Sequence, residues 1–196
     1  MRRHQGFALA SLIPAVLTFG AVRPASAAPA VKFVLTDTFD ASKTCKAANV
    51  GSGPGEDFGT LRCRGAAGYK LNVLYDDSRD DVSLVDPKGK ETSLRLSEVI
   101  GNSFASLGKT AEWRVVGSKA VAVTVRFILS DPENGTKKTS YLVVARLAPD
   151  PCVVVAIAPG ATQSAAARTV ASRAATLSCL PSLNGEVRAT ARRPPR

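Results

Sequence analysis

The stretch YDDSRDDVSL, residues 75 to 84, holds four aspartates, Asp76, Asp77, Asp80 and Asp81, within six positions around Arg79. Carboxylates this dense suit three tasks: holding a cation, general acid–base work on a glycosidic bond, or filling a solvated turn. A calcium loop of the EF-hand kind alternates its oxygen ligands, bends at a glycine and closes on a glutamate. This stretch has no glycine, and its aspartates come as adjacent pairs. In extended backbone such neighbours point to opposite faces, so Asp76 and Asp77 do not share an ion there. Asp77 and Arg79 fall on one face and can pair. The glycosidase option requires two carboxyls about 5–10 Å apart across a cleft, which spacing alone does not set. Asp77, Arg79 and Asp81 are the acidic-stretch candidates for a ligand or partner contact.

The chain has one histidine, His4, one methionine, Met1, and one tryptophan, Trp113. Residues 1–27 read as a secretory signal peptide. Arg2 and Arg3 precede an apolar run too short to span a bilayer, and Ala25-Ser26-Ala27 supplies small residues for cleavage near Ala27. The expected product is exported to the periplasm or beyond, has no transmembrane span, and keeps neither His4 nor Met1. Without histidine there is no ordinary nucleophile–base triad and no histidine-based metal site, so no catalytic residue, metal or cofactor is assigned. "VGSGPGEDFG" is glycine-rich but lacks the Gly-Lys-Ser/Thr of a phosphate loop. Trp113 is either a core aromatic or, beside Arg114, an exposed platform for a sugar or peptide.

All four cysteines, Cys45, Cys63, Cys152 and Cys179, lie beyond the signal. An even number in an oxidising compartment predicts two disulfides. Cys45 and Cys63 flank a Gly/Pro-rich loop that bends back easily. Cys152 opens an apolar strand that climbs about 20 Å. The following helix over 163–178 descends about 24 Å and returns Cys179 to the same end. The favoured pairing is therefore Cys45 with Cys63 and Cys152 with Cys179. The spacings lack a C-x-x-C hook for zinc.

The elements that must position these residues read as follows. "VKFVLTDTF" is a first strand. Tyr69, Leu71, Val73 and Tyr75 alternate with polar residues. Val82 and Leu84 resume on even numbers, so a turn or bulge between 76 and 81 shifts the phase. "DPKGK" at 86–90 is a turn. Ser97 can cap a short helix that Gly101 and Asn102 stop. "EWRVV", "AVAVTVRFIL", "TSYLVVARL" and "VVVAIA" are strands that pair with their neighbours. The last helix follows Pro159-Gly160 with Thr162 as cap, and Ala166, Val170, Ala174 and Leu177 form its apolar stripe. The expectation is an α+β fold, a twisted antiparallel β-sheet meander with the C-terminal α-helix packed on one face and two disulfides. One domain spans 28–181, and a basic tail, 182–196, is expected to be disordered.

Placed on these elements, "RCRGAAGYKLNVLYDDSRDDVSL", "FASLGKTAEWRV", "CVVVAIAP" and "AAARTVAS" resemble a group of small exported bacterial proteins of uncharacterised function. The shared positions are Cys63, Gly65, Gly68, Tyr69, Asp77, Arg79, Glu112, Trp113, Arg114, Cys152 and Arg168. The resemblance implies export and a disulfide-stapled sheet, and it implies no activity. A weaker likeness is to periplasmic lysozyme inhibitors, although their Ser-Gly loop motif is not clearly present in "NSFASLG". The sequence thus points to an exported, non-enzymatic binding protein that contacts an envelope polymer or a protein partner and not nucleic acid. The alternatives are a carboxylate-based hydrolase of envelope glycans and a lysozyme-inhibitor-like protein.

Overall fold

The computed structural model of the chain describes residues 28–38, 45–48, 58–76 and 78–183. The expected signal peptide, most of the basic tail and Asp77 lie outside the described residues. Among the described residues ten strands form two antiparallel sheets of five. The first sheet has the order β1 (Val31–Asp37), β7 (Ala105–Val116), β8 (Lys119–Ser130), β9 (Lys138–Arg146), β10 (Cys152–Ile157). The second is a meander of β2 (Cys45–Ala48), β3 (Phe58–Arg64), β4 (Lys70–Asp76), β5 (Asp81–Val85) and β6 (Glu91–Ser93). Antiparallel β-structure and both disulfides agree with the sequence reading. The single sheet does not: the chain splits its strands between two sheets. The hydrophobic pattern explains this split. β4 and β5 bury only Leu71, Val73, Val82 and Leu84 as apolar residues on one face, whereas β8 and β9 are apolar on both faces. A strand that is apolar on both faces has to be covered twice.

One core runs between the sheets. It joins Leu61, Leu71, Val73, Val82 and Leu84 of the meander to Trp113, Val123, Val125, Phe127 and Val143 of the first sheet. The other face of the first sheet buries Ala122, Leu142, Val144 and Val154 beneath α2 (Gln163–Ser172) and the following 3₁₀ turn, Ala174–Thr176. The helix ends sooner than expected, and its fully buried face is Gln163, Ala167 and Ala171; of the expected stripe, Ala174 is buried in the following turn and Val170 and Leu177 pack partly buried against the same cluster. Gln163 fixes that rotation. Its amide donates to the carbonyls of Ser140 (2.8 Å) and Ile157 (2.9 Å), so a polar residue is buried without an orphaned donor. Thr162 precedes the helix but makes no side-chain cap.

The disulfides close as the spacing suggests. Cys45 and Cys63 are direct cross-strand partners of β2 and β3, and Cys152–Cys179 ties the start of β10 to the segment beyond α2. Between β4 and β5, Val73 pairs with Val82 and Leu71 with Leu84, so odd residues face even ones across the hairpin. The phase shift is therefore a turn, with Ser78 at φ 58°.

Candidate functional site

The acidic turn is a brace between the two sheets. Ser78 accepts from the Ala105 amide (2.7 Å) and the Asp80 amide donates to the Ala105 carbonyl (3.1 Å), which docks the β4–β5 turn on the start of β7. The buried Asp80 carboxylate accepts from the Leu107 amide at 2.9 Å. Burial pushes the Asp80 carboxyl above its ordinary value, and the Leu107 hydrogen bond offsets part of the rise. Asp81 accepts from the amides of Val82 (2.7 Å) and Leu96 (3.0 Å) and from the Ser97 hydroxyl (3.2 Å). It thereby caps α1 (Leu96–Val99) from a neighbouring strand. Ser97, the expected cap, lies inside the helix, and Arg95 at the N-cap position has φ 50° and no side-chain cap bond. Arg79 lies over the Phe104 ring at 5.1 Å. Among the described residues no group of three or more His, Cys, Asp or Glu is arranged to hold a metal ion.

Trp113 and Arg114 are adjacent in sequence and face opposite sides of the first sheet. Trp113 is 0% exposed and its Nε1 donates to Thr36 Oγ1 at 2.7 Å. It therefore offers no platform to a sugar or peptide, which corrects its place among the candidate contacts. Gly65 exists to admit it: a Cβ on that glycine would sit 2.6 Å from the Trp113 ring. Arg114 lies on the helix side, over the Phe33 ring at 5.6 Å, with Arg168 over the same ring at 5.1 Å. Arg168 makes a two-pronged ion pair with Glu112, shortest contact 2.7 Å. This pair anchors α2, and beside it a polar cleft of about 160 Å³ opens between Leu35, Thr124, Arg126 and Ser164. Arg126 spans that cleft to Ser140 Oγ (2.7 Å) and Gln163 Oε1 (3.4 Å).

A more promising surface lies at Tyr69, which follows the turn closed by the Gly65 and Tyr69 amides. Its ring meets Trp113 at a centroid distance of 6.1 Å, so the buried indole fixes it from within. Two cavities share Tyr69 and Ala148. The wider, about 300 Å³, has walls from Ala67, Pro87, Ala120, Val121 and Ala175, with Ser118 and Lys119 as polar points. The narrower, about 180 Å³, adds Leu84, Leu147 and Pro151 with Asp86, Lys90 and Thr92. Asp86 is held by the amides of Lys88 (2.8 Å) and Lys90 (2.9 Å). Desolvation first, and the Asp86 charge second, raise the Tyr69 phenol above 10.0, so it stays neutral and able to donate at physiological pH. An apolar cleft with a few fixed polar groups is built for binding. It joins the β3–β4 and β5–β6 turns to the β7–β8 hairpin, the residues before β10 and the 3₁₀ turn. No local signal in the sequence links these five segments.

No protein-family model, curated protein or solved structure matches the chain.

Proposed function

We propose that the protein is an exported, non-enzymatic binding protein that seats an apolar group of an envelope polymer or protein partner in the Tyr69 cleft. The observation that carries this reading is the pair of cavities sharing Tyr69 and Ala148: the wider is mostly apolar in its walls with Ser118 and Lys119 as polar points, and the narrower is mixed, with Asp86, Lys90 and Thr92. Two disulfides fit export, because such links persist in oxidising compartments. No helix among the described residues is long and apolar enough to cross a membrane. Hydrolysis of glycans has less support, since Asp80 and Asp81 spend their oxygens on backbone amides and Glu112 is ion-paired.

The test is retention of the protein on immobilised envelope fractions. Ala175 is exposed and lines the wider cavity, so Ala175→Trp fills the cleft without disturbing the core. Ala175→Trp and Tyr69→Ala are each expected to weaken retention at least about tenfold, or ~1.4 kcal/mol. Retention unchanged in both variants, with the fold intact, refutes the cleft as the binding site.

A further inference from the structure

We propose that β1 is a docking edge for an extended acidic–apolar peptide segment of a partner protein, which adds to the first sheet as a further strand beside β1. The argument starts from the backbone. β1 is the terminal strand of its sheet, and it pairs with β7 in an unbroken register from Val31↔Val116 to Asp37↔Thr110. Just outside that range Gly117 donates to the Ala30 carbonyl (2.8 Å) and Thr38 donates to the Lys109 carbonyl (2.9 Å). In an antiparallel pair, both polar groups of a residue point to the same neighbour and alternate along the strand. Even-numbered residues therefore face β7, and Val31, Phe33 and Leu35 turn their N–H and C=O groups to the outer edge. Among the described residues no strand takes them up.

The side chains of these outward residues share one face. Their cross-strand partners Glu112, Arg114 and Val116 lie on the helix side of the sheet, so Val31, Phe33 and Leu35 lie there too. Val31 is 50% and Leu35 65% exposed. The edge thus offers unpaired main chain together with an apolar row exposed at both ends, at Val31 and Leu35, the combination that strand addition uses: main-chain bonds for affinity, side-chain positions for specificity. The protection that edge strands ordinarily carry is slight here, with Lys32 the one lysine and no proline between Val31 and Asp37.

Charge selects the occupant. Two guanidinium groups flank Phe33 at the centre of the row. Glu112 neutralises Arg168, but no carboxylate contacts Arg114 among the described residues. An incoming residue opposite Phe33 meets that unpaired cation, and one opposite Lys32 meets another. Residues opposite Val31 and Leu35 meet apolar surface. The preferred segment therefore has a carboxylate at its centre, a second beside it, and apolar residues two positions to either side of the central one. From residue 28 on, 23 basic against 16 acidic residues leave a formal charge of +7, which adds long-range attraction for an acidic segment.

The probe is the peptide acetyl-SVTEDVS-amide, titrated into ¹⁵N-labelled protein. Run antiparallel, its two valines fall opposite Leu35 and Val31, its glutamate opposite Phe33 and its aspartate opposite Lys32. Saturable shifts are expected at residues 31–36 and at Arg114. Arg114→Glu should weaken binding at least about tenfold. Leu35→Pro should abolish it, since proline removes an outward N–H and leaves the ladder to β7 whole. A chemical version avoids any folding defect: N-methylation of the peptide's glutamate, whose amide faces β1, abolishes binding, whereas N-methylation of its threonine, whose amide faces away, leaves it. Equal effects of the two methylations, shifts centred elsewhere, or full affinity in Arg114→Glu overturn the proposal. So does concentration-dependent dimerisation of peptide-free protein through β1, which would make a second copy the occupant.

Discussion

Trp113 owes its place to two neighbours far away in sequence. Gly65 leaves room for its ring, and Thr36 takes its indole proton. Removing that acceptor leaves a buried donor unpaired, which costs about 1–3 kcal/mol. Thr36→Val, close in shape, is therefore expected to lower stability by that amount in urea unfolding. Asp80 is the second residue whose surroundings set its behaviour. Its folded-state pKa is raised above the ordinary 3.8, chiefly by burial. The folded protein then holds this proton more tightly than the unfolded chain, so the Asp80 contribution falls as pH rises from 3.8 to the folded value. Asparagine at this position has no charge to desolvate and still offers a carbonyl to the Leu107 amide. Relative to the wild type, Asp80→Asn should gain stability as pH rises through that window and no further beyond it. A series of denaturant midpoints from about pH 3 to pH 7 reads the crossover directly. A constant difference across the series would refute it.

At the scale of elements, α1 shows how short helices depend on borrowed caps. It has four residues, begins after a left-handed Arg95 and receives its cap from Asp81 on β5. An isolated helix of that length has no stability of its own. Asp81→Ala should cost about 1 kcal/mol and speed hydrogen exchange at the Leu96 amide. The Ser97-led helix is legible in the sequence as a first turn bounded by Gly101 and Asn102. Its true cap is not, because Asp81 is brought there only by the pairing of β5 with β6 and the bond from the Leu94 amide to the Val82 carbonyl. α2 teaches the same lesson. Its alanine-rich composition announces a helix, yet the buried Gln163 decides which side faces the sheet. A stripe drawn from apolar residues alone misses an amide that is satisfied by Ser140 and Ile157.

At the scale of the whole molecule, the two sheets share one core with Trp113 inside it, while α2 covers the outer face of the first sheet. The meander sheet buries its apolar residues only against the first sheet, so the described domain should unfold cooperatively. Trp113 emission reports the core between the sheets, and far-UV circular dichroism reports all strands. Their urea transitions are expected to coincide. Transitions that separate would show that one sheet survives without the other. The Tyr69 cleft and the β1 edge also belong to this scale, since each is assembled from segments that meet only after the layers have packed.

The sequence by itself determined β1, β4, β5, the later half of β7, β8, β9 and β10, the turn at 86–90, the cysteine pairing and the scarcity of catalytic side chains after residue 27. These depend on local alternation, on residues suited to tight turns and on inventory, none of which needs tertiary contacts. β2, β3, β6 and the start of β7 lay outside that reading. Only the tertiary structure decided that the strands divide into two sheets, because that depends on which faces must be covered. It also decided what the acidic turn does. Asp80 and Asp81 suggest an ion or a reaction when read along the chain. In the fold their oxygens meet backbone amides from Leu107 and Leu96, 27 and 15 residues away, and the acceptors that suggested chemistry hold the sheets and α1 together.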